Sequence, residues 1–147
     1  MVEEAVLKTV GAKNVRGFDS LCFRHVNYRC AMKKELEDKL FKKHNKILDS
    51  VHYLEVSDGW YKLIDRLCEA IQAIVDSESL EQVKAVQVKE KFGGLRFYTA
   101  EYVESPEIQK LIEEAESASY VTCETCGSPA SCEAPNGWYK TSCEAHK

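Results

Sequence analysis

Between residues 59 and 76 the apolar positions recur at helical spacing. Trp60, Leu63, Ile64, Leu67, Cys68, Ile71, Ile74 and Val75 fall within about 140° on a wheel of 100° per residue. Lys62, Asp65, Arg66, Glu69 and Gln72 take the other side. The pattern predicts an amphipathic helix that must pack on something, with Asp58 placed to accept the free N–H groups of its first turn. Upstream, Met32, Leu36, Leu40, His44 and Ile47 recur in steps of four or three, widened by Phe41 and Leu48. They predict a helix over 31–49. Lys39, Lys42, Lys43 and Lys46 run beside this stripe, and Glu35–Lys39 and Asp38–Lys42 are i,i+4 pairs worth a few tenths of a kcal/mol each (~0.3).

The pattern then changes period. Residues 82–89 alternate loosely through Val83, Val86 and Val88, and residues 95–100 through Leu95, Phe97 and Thr99. Glu90-Lys91-Phe92-Gly93-Gly94 lies between them, and its two glycines are free to take positive φ. A β-hairpin whose apolar face covers the central helix is expected. Ser105-Pro106 combines a capping hydroxyl with proline at the first helical position, so another helix opens there. Its apolar face is Ile108, Leu111, Ile112, Ala115 and Ser119. Residues 1–30 show no clean period and mix arginine with aromatic residues.

These elements predict an α+β fold: two to three amphipathic helices packed on a short antiparallel hairpin, followed by a zinc-ribbon-like C-terminal module. The expected organisation is an irregular basic and aromatic extension over 1–30, an α+β core over 31–120 and a zinc-binding module over 121–147. The composition of the 147 residues, 44% apolar and 30% charged, is that of a globular chain with a real core. No apolar run approaches the roughly 20 residues of a membrane span. The first residues lack a basic segment followed by an apolar one, so no export signal is read and a cytoplasmic, reducing compartment is expected. There, seven cysteines argue for metal ligands and free thiols rather than a disulfide framework. Charge is uneven: residues 8–46 hold eleven Lys/Arg against four Asp/Glu, while the remainder holds nine against twenty. A basic front and an acidic back suit a polar partner.

The C-terminal residues carry the chemistry. Cys123 and Cys126 form one pair at x2 spacing, sixteen residues follow, and Cys143 and His146 form a second. Two such knuckles supply the four N/S ligands of a tetrahedral zinc ion. Gly127 allows a tight turn after the first knuckle, and Asn136-Gly137 is a hairpin-turn signal that lets residues 128–134 and 138–142 bring the knuckles together. Four protein ligands leave no place for water, so the Zn2+ site is expected to be structural. Trp138 and Tyr139 are the module's large apolar anchors in this reading. A rival ligand set replaces His146 with Cys132. Cys22-x2-His25-x4-Cys30 is a weaker second candidate that needs a fourth ligand such as His44 or His52.

Other constellations are less specific. Lys89-Glu-Lys91-Phe92-Gly-Gly-Leu-Arg96-Phe-Tyr98 interleaves basic and aromatic residues, as a stacking platform for bases would, although a plain hairpin turn also explains it. Arg96 and Tyr98 are expected to share the face away from Leu95 and Phe97. A zinc deaminase needs His-x-Glu before Pro-Cys-x-x-Cys, and here the nearest approach is His52-Tyr-Leu-Glu55, with Thr122 before Cys123. His-Glu-x-x-His, a Gly-Lys-Ser/Thr phosphate loop and Gly-x-Ser-x-Gly do not occur. Asp58, Asp65 and Glu69 are an acidic metal-site candidate, better explained by a cap and a solvated face, and Cys68 lies on the core stripe. No catalytic residue is assigned.

Three blocks in order, Asp58-Gly-Trp-Tyr-x-Leu-Ile-Asp-x-Leu-Cys68, Gln87-Val-Lys-Glu-Lys-Phe-Gly-Gly-Leu-Arg-Phe-Tyr98 and Cys123-x2-Cys126-Gly127 through Gly137-Trp138-x2-Thr141-x-Cys143-x2-His146, resemble small uncharacterised proteins of bacteriophages and prophages. The resemblance covers about residues 35–147. It implies a viral accessory protein in a bacterial host cytoplasm and the same four zinc ligands, but no activity.

Three functions follow as expectations. The first is a non-enzymatic, zinc-stabilised accessory protein that binds a host or viral macromolecule, most simply a protein, and inhibits a bacterial defence nuclease as anti-CRISPR proteins do. The second is nucleic-acid binding through Arg24, Arg29, Lys42, Lys43 and Lys46 of the basic front and the Lys89, Lys91, Phe92, Arg96 and Tyr98 side of the hairpin, with Trp138 and Tyr139 as further contact candidates. The third is a small metal-dependent nuclease. No membrane partner is expected.

Overall fold

The apolar stripe from Trp60 to Val75 is the axis on which the other elements pack. A computed structural model describes residues 31–147. The expectations for residues 1–30, including Arg24, Arg29 and the Cys22/His25/Cys30 set, lie outside the described residues. The order is α1 (Lys34–Lys43), α2 (Asn45–Leu48), a 3-10 turn (Asp58–Trp60), α3 (Tyr61–Glu78), β1 (Ala85–Lys91), β2 (Gly94–Thr99), α4 (Pro106–Ser119), β3 (Ser131–Glu133), β4 (Lys140–Ser142) and a last 3-10 turn (Glu144–His146). The strands form two separate antiparallel hairpins, β1–β2 and β3–β4, so the class is α+β. None of the described helices is long and apolar enough to cross a membrane.

Trp60 of the 3-10 turn and Ile64, Leu67, Cys68 and Ile71 of α3 are buried. They meet Leu40, Ile47 and Leu48 from α1 and α2, Val88, Leu95 and Phe97 from the first hairpin, and Ile108 from α4. Each such side chain contributes roughly 1.5–3 kcal/mol by leaving water. Residues 31–147 form one compact unit, so residues 121–147 pack with the core rather than apart from it.

The helix expected over 31–49 is broken at His44, whose backbone leaves helical geometry at φ −114 and ψ 37. The imidazole is buried and its Nε2 lies 2.7 Å from Asp65 Oδ1 on α3. A tertiary contact thus overrides the helical period, and the turn after it buries Ile47 and Leu48 together. The ion pairs of α1 join Lys34 to Glu37 at 3.1 Å and to Asp38 at 2.9 Å, rather than Glu35 to Lys39 or Asp38 to Lys42. Asp58 is not the cap of α3. Its carboxylate accepts from the Lys33 backbone N–H at 2.7 Å and pairs with the Lys33 ammonium at 3.1 Å, which ties the start of α1 to the start of α3.

The turn of the first hairpin is one residue earlier than expected. Phe92 and Gly93, not Gly93 and Gly94, have positive φ, at 54 and 77. Both central residues of a two-residue turn adopt this conformation when the turn matches the twist of the strands. Gly94 serves a different need: a Cβ there would lie 2.4 Å from the Tyr120 ring. The alternation of β1 is interrupted by a bulge between Ala85 and Gln87, which leaves Val86 exposed and Ala85 and Val88 buried. Both hairpin edges are closed. Glu55 bonds β1 through its N–H to Val88 O and through its carbonyl from Glu90 N, each at 3.0 Å. On the other side, Leu95 N donates to Ser119 Oγ at 2.8 Å and Phe97 N to Glu116 Oε1 at 3.0 Å. Side chains of α4 therefore satisfy the strand edge that would otherwise invite pairing. Ser105 caps α4 as expected, accepting from Ile108 N at 3.4 Å.

Candidate metal centre

After α4 the chain folds back on itself. Cys123 N donates to Ser128 O, and Gly127 N donates to Cys123 O, each at 2.8 Å. Gly127 closes this knuckle with φ 76. The second knuckle follows β4: Cys143 is extended, and His146 N donates back to its carbonyl at 2.9 Å. β3 and β4 pair in register Ser131 with Ser142, Cys132 with Thr141 and Glu133 with Lys140. This short hairpin brings the knuckles together.

The Cys123, Cys126 and Cys143 sulfurs and a ring nitrogen of His146 all lie within 4.8 Å of one another and can hold a metal ion. Cys126 and Cys143 sulfurs are 3.7 Å apart, and His146 Nδ1 is 3.7 Å from Cys123 Sγ and 3.2 Å from Cys143 Sγ. A tetrahedral ion bound at about 2.3 Å to sulfur and about 2.0 Å to nitrogen sets edges of about 3.8 and 3.5 Å, so the donors fit. The sulfur separations exceed the ~2.05 Å of a disulfide, and these thiols are free. Burial pushes the Cys123 thiol up, but N–H groups of Cys143, Cys126 and Thr125 outweigh it and bring the thiol down to about 6. Burial, then the Cys126 side chain, push the Cys143 thiol up. Backbone dipoles pointing at the sulfur thus favour the thiolate form of Cys123.

The knuckle is seated on the start of α3. Gly59 N donates to Glu124 O at 2.7 Å, and Trp60 Nε1 donates to Thr122 O at 2.8 Å. A Cβ on Gly59 would lie 2.1 Å from Cys123 O and 2.5 Å from both Glu124 O and Gly127 N. Buried Glu124 accepts from Ser57 N and Ser57 Oγ, each at 3.2 Å. The second hairpin rests on the tip of the first: fully buried Thr141 donates its hydroxyl to Gly93 O at 2.6 Å. Cys132 belongs to this joint, with its sulfur 3.9 Å from Phe92 O, and lies outside the ligand cluster. Gly59, Gly93, Glu124 and Thr141 carry no sequence signal that marks them as parts of the site. Only the presence of Gly59, Gly93 and Thr141 inside motif blocks points at them.

Trp138 and Tyr139 do not anchor the module. They are 84% and 55% exposed, and Phe92, which meets Tyr139, is 63% exposed. Phe92 and Tyr139 meet edge to face at 6.3 Å between ring centres. Lys91 Nζ sits 5.3 Å from the Phe92 ring centre, and Lys89 Nζ sits 5.4 Å from that of Tyr98. Arg96 is half-buried and engaged as a strut: it donates to Tyr120 Oη and Leu95 O, each at 2.7 Å, with Glu116 at 3.8 Å. Lys43 pairs with Asp65 at 2.8 Å and Glu69 at 3.7 Å, while Lys42 and Lys46 are exposed.

The acidic candidates are separately engaged, Asp58 by Lys33 and Asp65 by Lys43 and His44. Burial pushes the Asp65 carboxyl up, but hydrogen bonds from Lys43 and His44 hold it below the usual range. Cys68 is buried in the core, where burial pushes its thiol up to about 12 and removes it as a nucleophile. A cavity of about 530 Å³ lies between residues 80–84 and 99–105, lined by neither cysteine nor histidine.

Comparison with protein-family models, with curated proteins and with solved structures finds no match for this chain.

Proposed function

We propose that this is a non-enzymatic accessory protein in which one structural zinc ion holds a zinc-ribbon-like hairpin against an α+β core. Through the resemblance to phage and prophage proteins, its partner is a host or viral macromolecule. Three cysteines and one histidine form a four-ligand donor set that suits zinc and leaves no open position for substrate. The observation that carries the binding role is Phe92. A bulky residue at positive φ is strained, by an amount on the order of 1–3 kcal/mol. Here that residue is exposed against exposed Tyr139, whose chain neighbour Trp138 is exposed too, so its ring gains little burial in return. Strain kept at an exposed aromatic cluster supports reading it as a contact surface.

Metal analysis of the purified full chain is expected to give one zinc per chain. Co-purification from host lysate is expected to retain a stoichiometric partner, lost in Trp138→Ala with the zinc content unchanged. A wild-type protein that retains nothing, or a Trp138→Ala variant that retains everything, contradicts the binding role.

A further inference from the structure

We infer that the partner class of this aromatic surface is single-stranded nucleic acid, with bases stacking on Trp138, Tyr139 and Phe92 and phosphates meeting Lys91 and Lys89. The inference rests on the reading of the aromatic end as the contact surface and gives that surface an occupant.

Charge complementarity selects the occupant. Lys34, Lys43 and Arg96 each face carboxylates. Lys89 and Lys91 have no carboxylate partner among the described residues and lie instead over the rings of Tyr98 and Phe92. Two residues apart on one strand, their stems start about 7 Å apart on the same side, a step an extended nucleotide chain can follow. The chain as a whole carries a net charge of −4, and the Glu90 carboxylate between the two lysines is turned to the Gly93 N–H at 2.6 Å.

The interleaving decides between partner classes. Cores of protein–protein interfaces are depleted in lysine. Cations alternating with exposed rings are what a single strand uses, one for the phosphate and one for the base. A duplex keeps its bases stacked on one another, so their faces are not offered to exposed rings as those of a single strand are.

The test is fluorescence anisotropy of the zinc-loaded full chain with a labelled oligo(dT) strand and a duplex of equal length, at rising salt. Single-strand binding stronger than duplex binding is expected. Its salt slope should fall in magnitude by about 1.4 when Lys89 and Lys91 both become Gln, at about 0.7 for each phosphate left without its lysine. Trp138→Ala should weaken binding roughly 5- to 150-fold, the range for one stacked base. Thermal melting and zinc content check that both variants are folded. No binding at low salt, equal affinity for duplex, or indifference to both variants overturns the inference. If a protein partner is still lost from Trp138→Ala in lysate, the contact surface stands and the nucleic-acid assignment fails; if that also fails, both fall.

Discussion

Gly59 is the residue on which the metal knuckle depends without contributing a donor atom. The positions a side chain would need are filled by the Cys123 and Glu124 carbonyls and the Gly127 N–H. All three are backbone groups and cannot swing aside as a side-chain tip would. Gly59→Ala is therefore expected to cost at least the ~1–3 kcal/mol of an overpacked site and to speed metal loss to a chelator. Thermal melting and chelator competition check this. Asp65 acts through charge instead. Its folded-state carboxyl lies below the unfolded value, so the stability it contributes is present above about pH 4 and is lost as pH falls through the folded value. Asp65→Asn should lower stability near neutrality and flatten the acid limb of a denaturant-midpoint profile. An acid limb identical to that of the native protein would contradict the Lys43–His44–Asp65 contact. Asp58 and Gly59 mark the limit of what local sequence reveals. Asp58 carries the residue type of a cap, yet Lys33, 25 positions away, takes its carboxylate. Gly59 has no local signal at all, because its neighbours lie some 64 positions along the chain.

At the scale of elements, each hairpin is held by groups outside it. β2 has its outer N–H groups satisfied by Ser119 and Glu116 of α4. Removing the hydroxyl in Ser119→Ala leaves the Leu95 N–H unsatisfied in a buried place, at a cost of about 1–3 kcal/mol, readable as a lower denaturant midpoint with unchanged slope. The Phe92-Gly93 turn separates stability from function. Phe92→Gly removes the left-handed strain and should leave stability level or raise it by about 1 kcal/mol, while weakening partner binding. A variant that loses stability instead would show that the ring is held for packing. The helices at 61–78 and 106–119 and the first hairpin were legible because their periods are local, and the second hairpin from its Asn136-Gly137 turn, whereas the break at His44 was not. The turn register was not, because two adjacent glycines permit either placement and Tyr120, packed against Gly94, decides it. The exposure of Trp138 was equally hidden: composition marks it as an anchor, and its place beside the short second hairpin leaves it in solvent.

Across the molecule, the blocks at 58–68, 87–98 and 123–146 converge on one joint. The first knuckle rests on Gly59 and Trp60, and the second hairpin rests on Gly93 through Thr141. The Cys123, Cys126, Cys143 and His146 cluster was legible from its x2 spacing, whereas this joint is a long-range property that no window of sequence contains. A metal held at this cluster is expected to clamp the whole unit of residues 31–147 and not a detached tail. The most direct measurement is thermal unfolding of the full chain with one equivalent of zinc, with chelator, and as Cys143→Ser. With zinc, residues 31–147 are expected to melt in one transition. Chelation and Cys143→Ser are each expected to lower that transition and to shift the near-ultraviolet signal of core Trp60 with it. A metal-free protein that melts at the same temperature, or a separate C-terminal transition that leaves the Trp60 signal untouched, would contradict the account.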